Sequence, residues 1–163
     1  MSEDPDRQLA AALGAALIAR RWTLASAESL TGGGIAACCT GVAGASDWFA
    51  AGLVTYTAAM KQRLLEVPAA LISRHGVVSE PVARAMAEGA WRMTGAELTL
   101  AVTGIAGPGG GEVLQPVGTV WFAWAHHGRL LAAESRQLEG DRDDIRAATV
   151  HHALNGALLL LAE

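Results

Sequence analysis

Thr23-Leu24-Ala25-Ser26-Ala27-Glu28-Ser29-Leu30-Thr31-Gly32-Gly33-Gly34 decides the fold class. Thr23–Ala27 reads as extended chain, Glu28–Gly34 as a turn, and Ile35–Thr40 as the helix that the turn opens. The order strand then glycine-rich loop recurs at Leu98–Thr103, which runs into Gly104-Ile105-Ala106-Gly107-Pro108-Gly109-Gly110-Gly111. In an open α/β sheet such loops lie at the carboxyl ends of strands, where ligands gather. Consecutive backbone N–H groups in them favour anions such as phosphate.

Working outward, Leu9, Leu13, Ala16 and Leu17 recur at i, i+4, i+7, i+8 and predict an amphipathic helix over residues 6–21. Leu53–Tyr56 reads as a strand, followed by a short helix over 58–65 that stops at Pro68. Ser79-Glu80-Pro81 starts a helix with serine as the cap and Val82, Met86, Ala90 and Met93 as its apolar face. Val117–Ala125 is almost unbroken apolar, as a strand buried on both faces would be, and His126-His127-Gly128 turns it into a second strand near 129–138. Asp141 caps a last helix marked by Val150, Leu154, Ala157, Leu158 and Leu161. The expected architecture is a three-layer α/β/α sandwich with a mixed sheet, a single domain over residues 1–163.

Composition narrows the class further. With 52% hydrophobic and 17% charged residues the 163-residue chain buries a substantial core. A net charge of −4 argues against nucleic acid as a partner. The acidic start Met1-Ser2-Glu3-Asp4 is unlike a signal peptide, and the apolar tail 153–161 is too short to span a bilayer. A soluble cytoplasmic protein is expected, with adjacent Cys38 and Cys39 as buried thiols in a reducing compartment. The aliphatic surplus points to self-association into a homo-oligomer.

Among the twelve basic residues, eleven are arginine and one, Lys61, is lysine. Arginine stays charged at any working pH, whereas a desolvated lysine loses its proton. Lys61 is thus either a chance surface lysine or a base. At an unperturbed pKa near ~10.4 roughly one molecule in a few thousand is neutral at pH 7; at ~8 about a tenth is, at a cost of roughly 3 kcal/mol in folding free energy. A basic Lys61 therefore requires an enclosed site. Hydroxyls available to it are Ser29, Thr31, Ser46, Thr55, Ser79 and Thr103. No HExxH or mixed Cys/His spacing for zinc occurs, nor a P-loop, a GxGxxG, a GxSxG elbow or an SxxK ending at Lys61. No metal and no cofactor are expected.

Ala27-Glu28-Ser29-Leu30-Thr31-Gly32-Gly33, Gly44-Ala45-Ser46-Asp47-Trp48-Phe49, and Val54-Thr55-Tyr56 with Lys61 together resemble the C-terminal domain of the competence/damage-inducible protein CinA. Gly76-Val77-Val78-Ser79-Glu80, Thr103–Pro108, Pro116–Val120 and Gly140-Asp141-Arg142 match in the same order, so the resemblance spans nearly the whole chain. It looks like the form without the larger N-terminal domain of CinA proteins. Leu30 departs from the pattern, since the family often has cysteine there.

The resemblance implies hydrolysis of nicotinamide mononucleotide to nicotinate mononucleotide and ammonia, a step in pyridine nucleotide recycling, without a metal. On that expectation Ser46 is the nucleophile, Lys61 its base, and Tyr56 orients the lysine or relays the proton. Backbone N–H groups of Gly44, Ala45 and Ser46 would hold the oxyanion. Ser29 and Thr103 would position the carboxamide or ribose, with Thr31, Gly32, Gly104 and Gly107 as further substrate-binding positions. Arg142, just past the cap of the last helix, would take the phosphate, or else form a surface ion pair with Asp143 or Asp144. Glu28 is either a site carboxylate or a structural one beneath Ser29. Two other readings compete: a non-catalytic nucleotide-binding or interaction module in competence or the DNA damage response, and a serine hydrolase for another small amide.

Overall fold

The computed structural model describes residues 4–163, so the reading of Met1–Glu3 lies outside the described residues. The elements in chain order are α1 Pro5–Arg20, β1 Leu24–Glu28, α2 Gly34–Thr40, a 3-10 turn Ala45–Asp47, β2 Phe49–Val54, α3 Ala58–Leu65 and α4 Ala69–His75. They continue with α5 Glu80–Thr94, β3 Leu98–Gly104, β4 Thr119–His126, β5 Arg129–Gln137 and α6 Arg142–Leu161. The five strands form one sheet in the order β2-β1-β3-β4-β5, with β1 parallel to both neighbours and β4 and β5 antiparallel.

Crossover handedness builds the layers. The chain steps from β1 through α2 to β2 on one side, then returns from β2 through α3–α5 to β3 on the other. Right-handed connections in opposite directions put their helices on opposite faces. One face carries α2 packed with α1 and α6; the other carries α5 with α3 and α4 against it. The result is the three-layer sandwich with a mixed sheet. Leu13, Leu17, Trp48, Phe122, Trp124 and Leu154 centre the core of the first face. Val82, Met86, Ala90 and Leu65 centre that of the second.

Because β1 leads toward β2 while β3 leads toward β4, the loops after β1 and β3 diverge and leave a crevice at their carboxyl ends. Every candidate in those loops is thereby delivered to one edge of the sheet.

Several local expectations change. The second strand begins at Phe49 rather than Leu53 and ends before Thr55, since pairing to β1 from Leu24↔Phe49 to Glu28↔Val54 overrides the poor strand propensity of Ala50, Ala51 and Gly52. Pro68 does not merely end α3; it precedes the additional helix α4, as proline can before a first turn. Ser79 does not cap α5 with its side chain, because its hydroxyl donates to Gly76 O at 2.8 Å. Met93 is 52% exposed, beyond the buried face. Cys39 is buried, but Cys38 is half-buried with its thiol 3.3 Å from Asp6 O. Asp141 caps α6 in a reciprocal box with Asp144.

Candidate active site

Glu28 closes β1 and is fully buried. Its carboxylate accepts from Thr31 Oγ1 at 2.7 Å, Ile35 N at 2.8 Å, Ala36 N at 3.0 Å and Ser26 Oγ at 3.1 Å. Four donors compensate the buried charge and tie the first turn of α2 to the strand end. Of the two roles open to Glu28, the structure assigns the structural one. The Thr31 side chain goes with it: its hydroxyl is spent on Glu28.

Ser29 follows at the strand-to-helix elbow, 7% exposed. Lys61, in the first turns of α3, is 1% exposed, and its Nζ lies 3.0 Å from Ser29 Oγ, 2.9 Å from Thr55 O and 3.4 Å from Tyr56 O. Burial lowers its pKa from an ordinary 10.5 to about 8. The three contacts suit a neutral amine. Two are carbonyls, which only accept, so they take its two N–H bonds and leave the lone pair for the Ser29 hydroxyl. No carboxylate contacts the nitrogen among the described residues.

A cavity of about 220 Å³ opens beside this pair, walled by Leu30, Ala58, Val77, Val78 and Ala106 and by the polar groups of Ser29, Tyr56, Lys61, Thr103 and Arg142. Thr103 donates to Val77 O at 2.8 Å and Gln115 Nε2 to Val78 O at 2.6 Å, which hold the two valines in place. Tyr56 is 56% exposed; its carbonyl faces Lys61 while its phenol oxygen accepts from Arg142 Nη2 at 3.2 Å. Arg142 also donates to Gly107 O at 2.7 Å. Both acceptors are neutral. The surface ion pair with Asp143 or Asp144 does not form: Asp144 is engaged in the α6 cap and Asp143 lies 3.9 Å from Arg146.

Ser46 is elsewhere. It sits exposed in the 3-10 turn before β2, whereas Lys61 follows the other end of that strand. Six strand residues at about 3.3 Å each put roughly 20 Å of backbone between the two ends. Within the chain the structure brings Ser29, not Ser46, to the lysine, and Gly44 and Ala45 stay with Ser46, away from the cavity. Gly44 owes its place to a turn with φ +80. Gly104 does line the cavity, but a Cβ there would come within 2.8 Å of Thr119 O, so sheet packing already demands glycine. Gly107 contributes the carbonyl that holds Arg142, and Gly32 lies in the elbow outside the lining.

The residues that sequence reasoning passed over are the main-chain carbonyls of Thr55 and Tyr56 and the apolar wall Val77–Val78. Backbone acceptors leave no mark in residue identity. The Ser29–Lys61 pairing had one signal, a hydroxyl at the end of a strand preceding a glycine-rich turn. Among the described residues no group of three His, Cys, Asp or Glu side chains could hold a metal, and no helix is long and apolar enough to cross a membrane.

The CinA C-terminal domain model matches residues 6–161. Over 160 residues the chain is 48% identical to the nicotinamide-nucleotide amidohydrolase PncC of Pseudomonas putida, covering 98% of this chain and 99% of that one. It is 50% identical to a putative competence-damage inducible protein of Symbiobacterium thermophilum, covering 91% of this chain but 37% of the relative. The crystal structure of a competence-damaged protein (CinA) superfamily protein from Klebsiella pneumoniae superposes with a TM-score of 0.94 at 35% identity, over 98% of this chain and 99% of the other.

Proposed function

The chain belongs to the CinA C-terminal domain family, and from that premise we propose that it is a nicotinamide-nucleotide amidase, hydrolysing nicotinamide mononucleotide to nicotinate mononucleotide and ammonia. The observation that carries the reading is Lys61 Nζ, buried and 3.0 Å from Ser29 Oγ at the wall of a cavity that also holds an arginine with no carboxylate partner among the described residues.

In this mechanism the neutral Lys61 takes the Ser29 proton as Oγ bonds to the carboxamide carbon, and the carbonyl π pair moves to oxygen. The tetrahedral intermediate collapses by breaking the C–N bond. The departing nitrogen takes the proton from the Lys61 ammonium and leaves as ammonia. Water then attacks the Ser29 ester, giving a proton to the regenerated amine; the second tetrahedral intermediate collapses by breaking the C–Oγ bond, Ser29 Oγ takes that proton back from the Lys61 ammonium, and the acid leaves as carboxylate, its own proton passing to solvent. Thr55 O and Tyr56 O hold the lysine head in register through both steps. Val77, Val78 and Ala106 offer an apolar wall to the pyridine ring, and Thr103 stands among the polar groups facing it. Arg142 takes the phosphate: a dianion displaces its two neutral acceptors and gains a guanidinium fork at the first turn of α6. A single domain, a cytoplasmic location and a homo-oligomeric state belong to the same reading; two free thiols fit the reducing compartment.

The test is ammonia release from nicotinamide mononucleotide by the purified protein in the presence of EDTA. Turnover supports the amidase. Tight nucleotide binding without ammonia release would favour the non-catalytic module, and release from other small amides alone would favour a different hydrolase.

A further inference from the structure

The elbow after β1 is clamped from across the molecule. Arg146, one turn into α6, donates through Nε to Leu30 O at 3.0 Å and through Nη2 to Thr31 O at 3.3 Å. These are the two residues that follow Ser29. In a planar trans peptide the C=O of one residue and the N–H of the next point in opposite directions. With Leu30 O turned onto Arg146, Thr31 N–H is turned away from it. With Ser29 O accepting from Gly32 N at 3.0 Å, Leu30 N–H is turned away from that bond.

Four other amides of the turn and of the helix start are spent. Gly32 bonds Ser29 O, Gly34 bonds Thr31 O, and Ile35 and Ala36 bond the Glu28 carboxylate. Leu30 N–H and Thr31 N–H have no acceptor within the described residues, although the two residues are 4% and 2% exposed. Buried backbone donors are almost always paired, so these two are left for an oxygen that the chain itself does not supply. Leu30 also lines the cavity beside Ser29. The N–H that follows a nucleophile at a strand-to-helix elbow is well placed to hold the oxygen of a tetrahedral intermediate.

We propose that Arg146 is a positioning residue for the hydrolysis: by holding Leu30 O it fixes the Leu30–Thr31 peptide plane and aims the Thr31 amide, beside the Leu30 amide that the Ser29 O–Gly32 N bond orients, at the developing oxyanion on the carbon attacked by Ser29. This rests on the amidase reading and replaces the Gly44–Ser46 turn as the source of oxyanion donors. Arg146 touches no reacting atom. It acts before the reaction, by keeping the Leu30–Thr31 peptide plane from rotating when charge develops.

The experiment compares Arg146→Ala and Arg146→Lys with the wild-type protein in ammonia release from nicotinamide mononucleotide, with thermal melting recorded for each. An oxyanion donor lost outright costs about 10²–10³ in kcat. A donor left in place but unaimed is expected to cost less, roughly 10- to 100-fold in kcat, with KM within about threefold, because the oxyanion exists only past the ground state. Arg146→Lys, keeping the charge and one donor, should recover part of the loss. Should the alanine variant fail to fold, an intermediate kcat in the lysine variant supports the role and a wild-type kcat overturns it. A kcat unchanged in folded Arg146→Ala, or a loss confined to KM or to the melting temperature, overturns the inference while leaving the amidase intact. A wild-type protein that releases no ammonia overturns the amidase reading itself.

Discussion

Lys61 Nζ meets Ser29 Oγ at 3.0 Å although 32 residues separate the two along the chain. Both sit at the carboxyl edge of the parallel strands, and both are almost wholly removed from water. A basic side chain paired with a hydroxyl and two carbonyls, and with no carboxylate among the described residues, is an arrangement that favours losing the proton. The expected consequence is loss of ammonia release by at least about 10³ in Ser29→Ala and in Lys61→Arg, the latter keeping charge but unable to accept a proton. Ser46→Ala should stay within a few-fold of wild type. Full activity in Ser29→Ala, or inactivity of Ser46→Ala, would return the nucleophile to Ser46.

The same burial sets a pH dependence. With the folded pKa lowered from 10.5 to about 8, the unfolded chain holds a proton that the folded one has released between those two values. Stability contributed at this position therefore rises with pH across that window, and below pH 8 the charged lysine opposes folding by about 3 kcal/mol. In urea titrations the stability of Lys61→Met relative to wild type should be most favourable near pH 7 and fall as pH approaches 10. For the wild-type enzyme, kcat/KM should climb with pH and level off above 8. A stability difference flat between pH 7 and 10 would mean that the lysine titrates normally.

Arg142 reports on the phosphate. Replacing it with alanine removes one charge-assisted contact, worth about 1.5–3 kcal/mol, so KM for the mononucleotide should rise by roughly 10- to 100-fold with kcat little changed. Nicotinamide riboside, which lacks the phosphate, should be turned over as before. Equal losses on both substrates would show Arg142 acting through Tyr56 and Gly107 instead.

Glu28 should behave as a structural carboxylate. Glu28→Ala strands the amides of Ile35 and Ala36 and the Thr31 hydroxyl, a loss of about 3 kcal/mol or more by denaturant titration. Its activity should fall with the folded fraction. An unfolding midpoint close to wild type together with lost turnover would place the carboxylate in the chemistry.

Gly89 offers a packing test far from the site. A Cβ there would lie 2.1 Å from Leu65 O, a main-chain atom that cannot swing aside. Gly89→Ala should cost about 1–3 kcal/mol by forcing α3 and α5 apart, despite the better helix propensity of alanine. A gain in melting temperature would show that the crossing relaxes freely.

What the amino-acid sequence determined by itself is what neighbours within a few residues decide. The 3.6-residue periodicity of α1 and α6, the Asp141 cap, the apolar run of β4 and the glycine-rich exits of β1 and β3 were all legible, and with them the layered α/β class. So was the suspicion attached to a single lysine among eleven arginines. Which hydroxyl that lysine meets was not legible, because it depends on the strand order β2-β1-β3 and on the register Glu28↔Val54. Parallel pairing puts the residues after β1 and after β2 on one edge, so Ser29 lies against Thr55 and Tyr56. Ser46, closer to Lys61 along the chain, precedes β2 and is carried to the opposite edge. The burial that shifts the lysine, the carbonyls that steer it and the arginine that clamps the elbow all come from segments distant in sequence, and only the folded sheet brings them together.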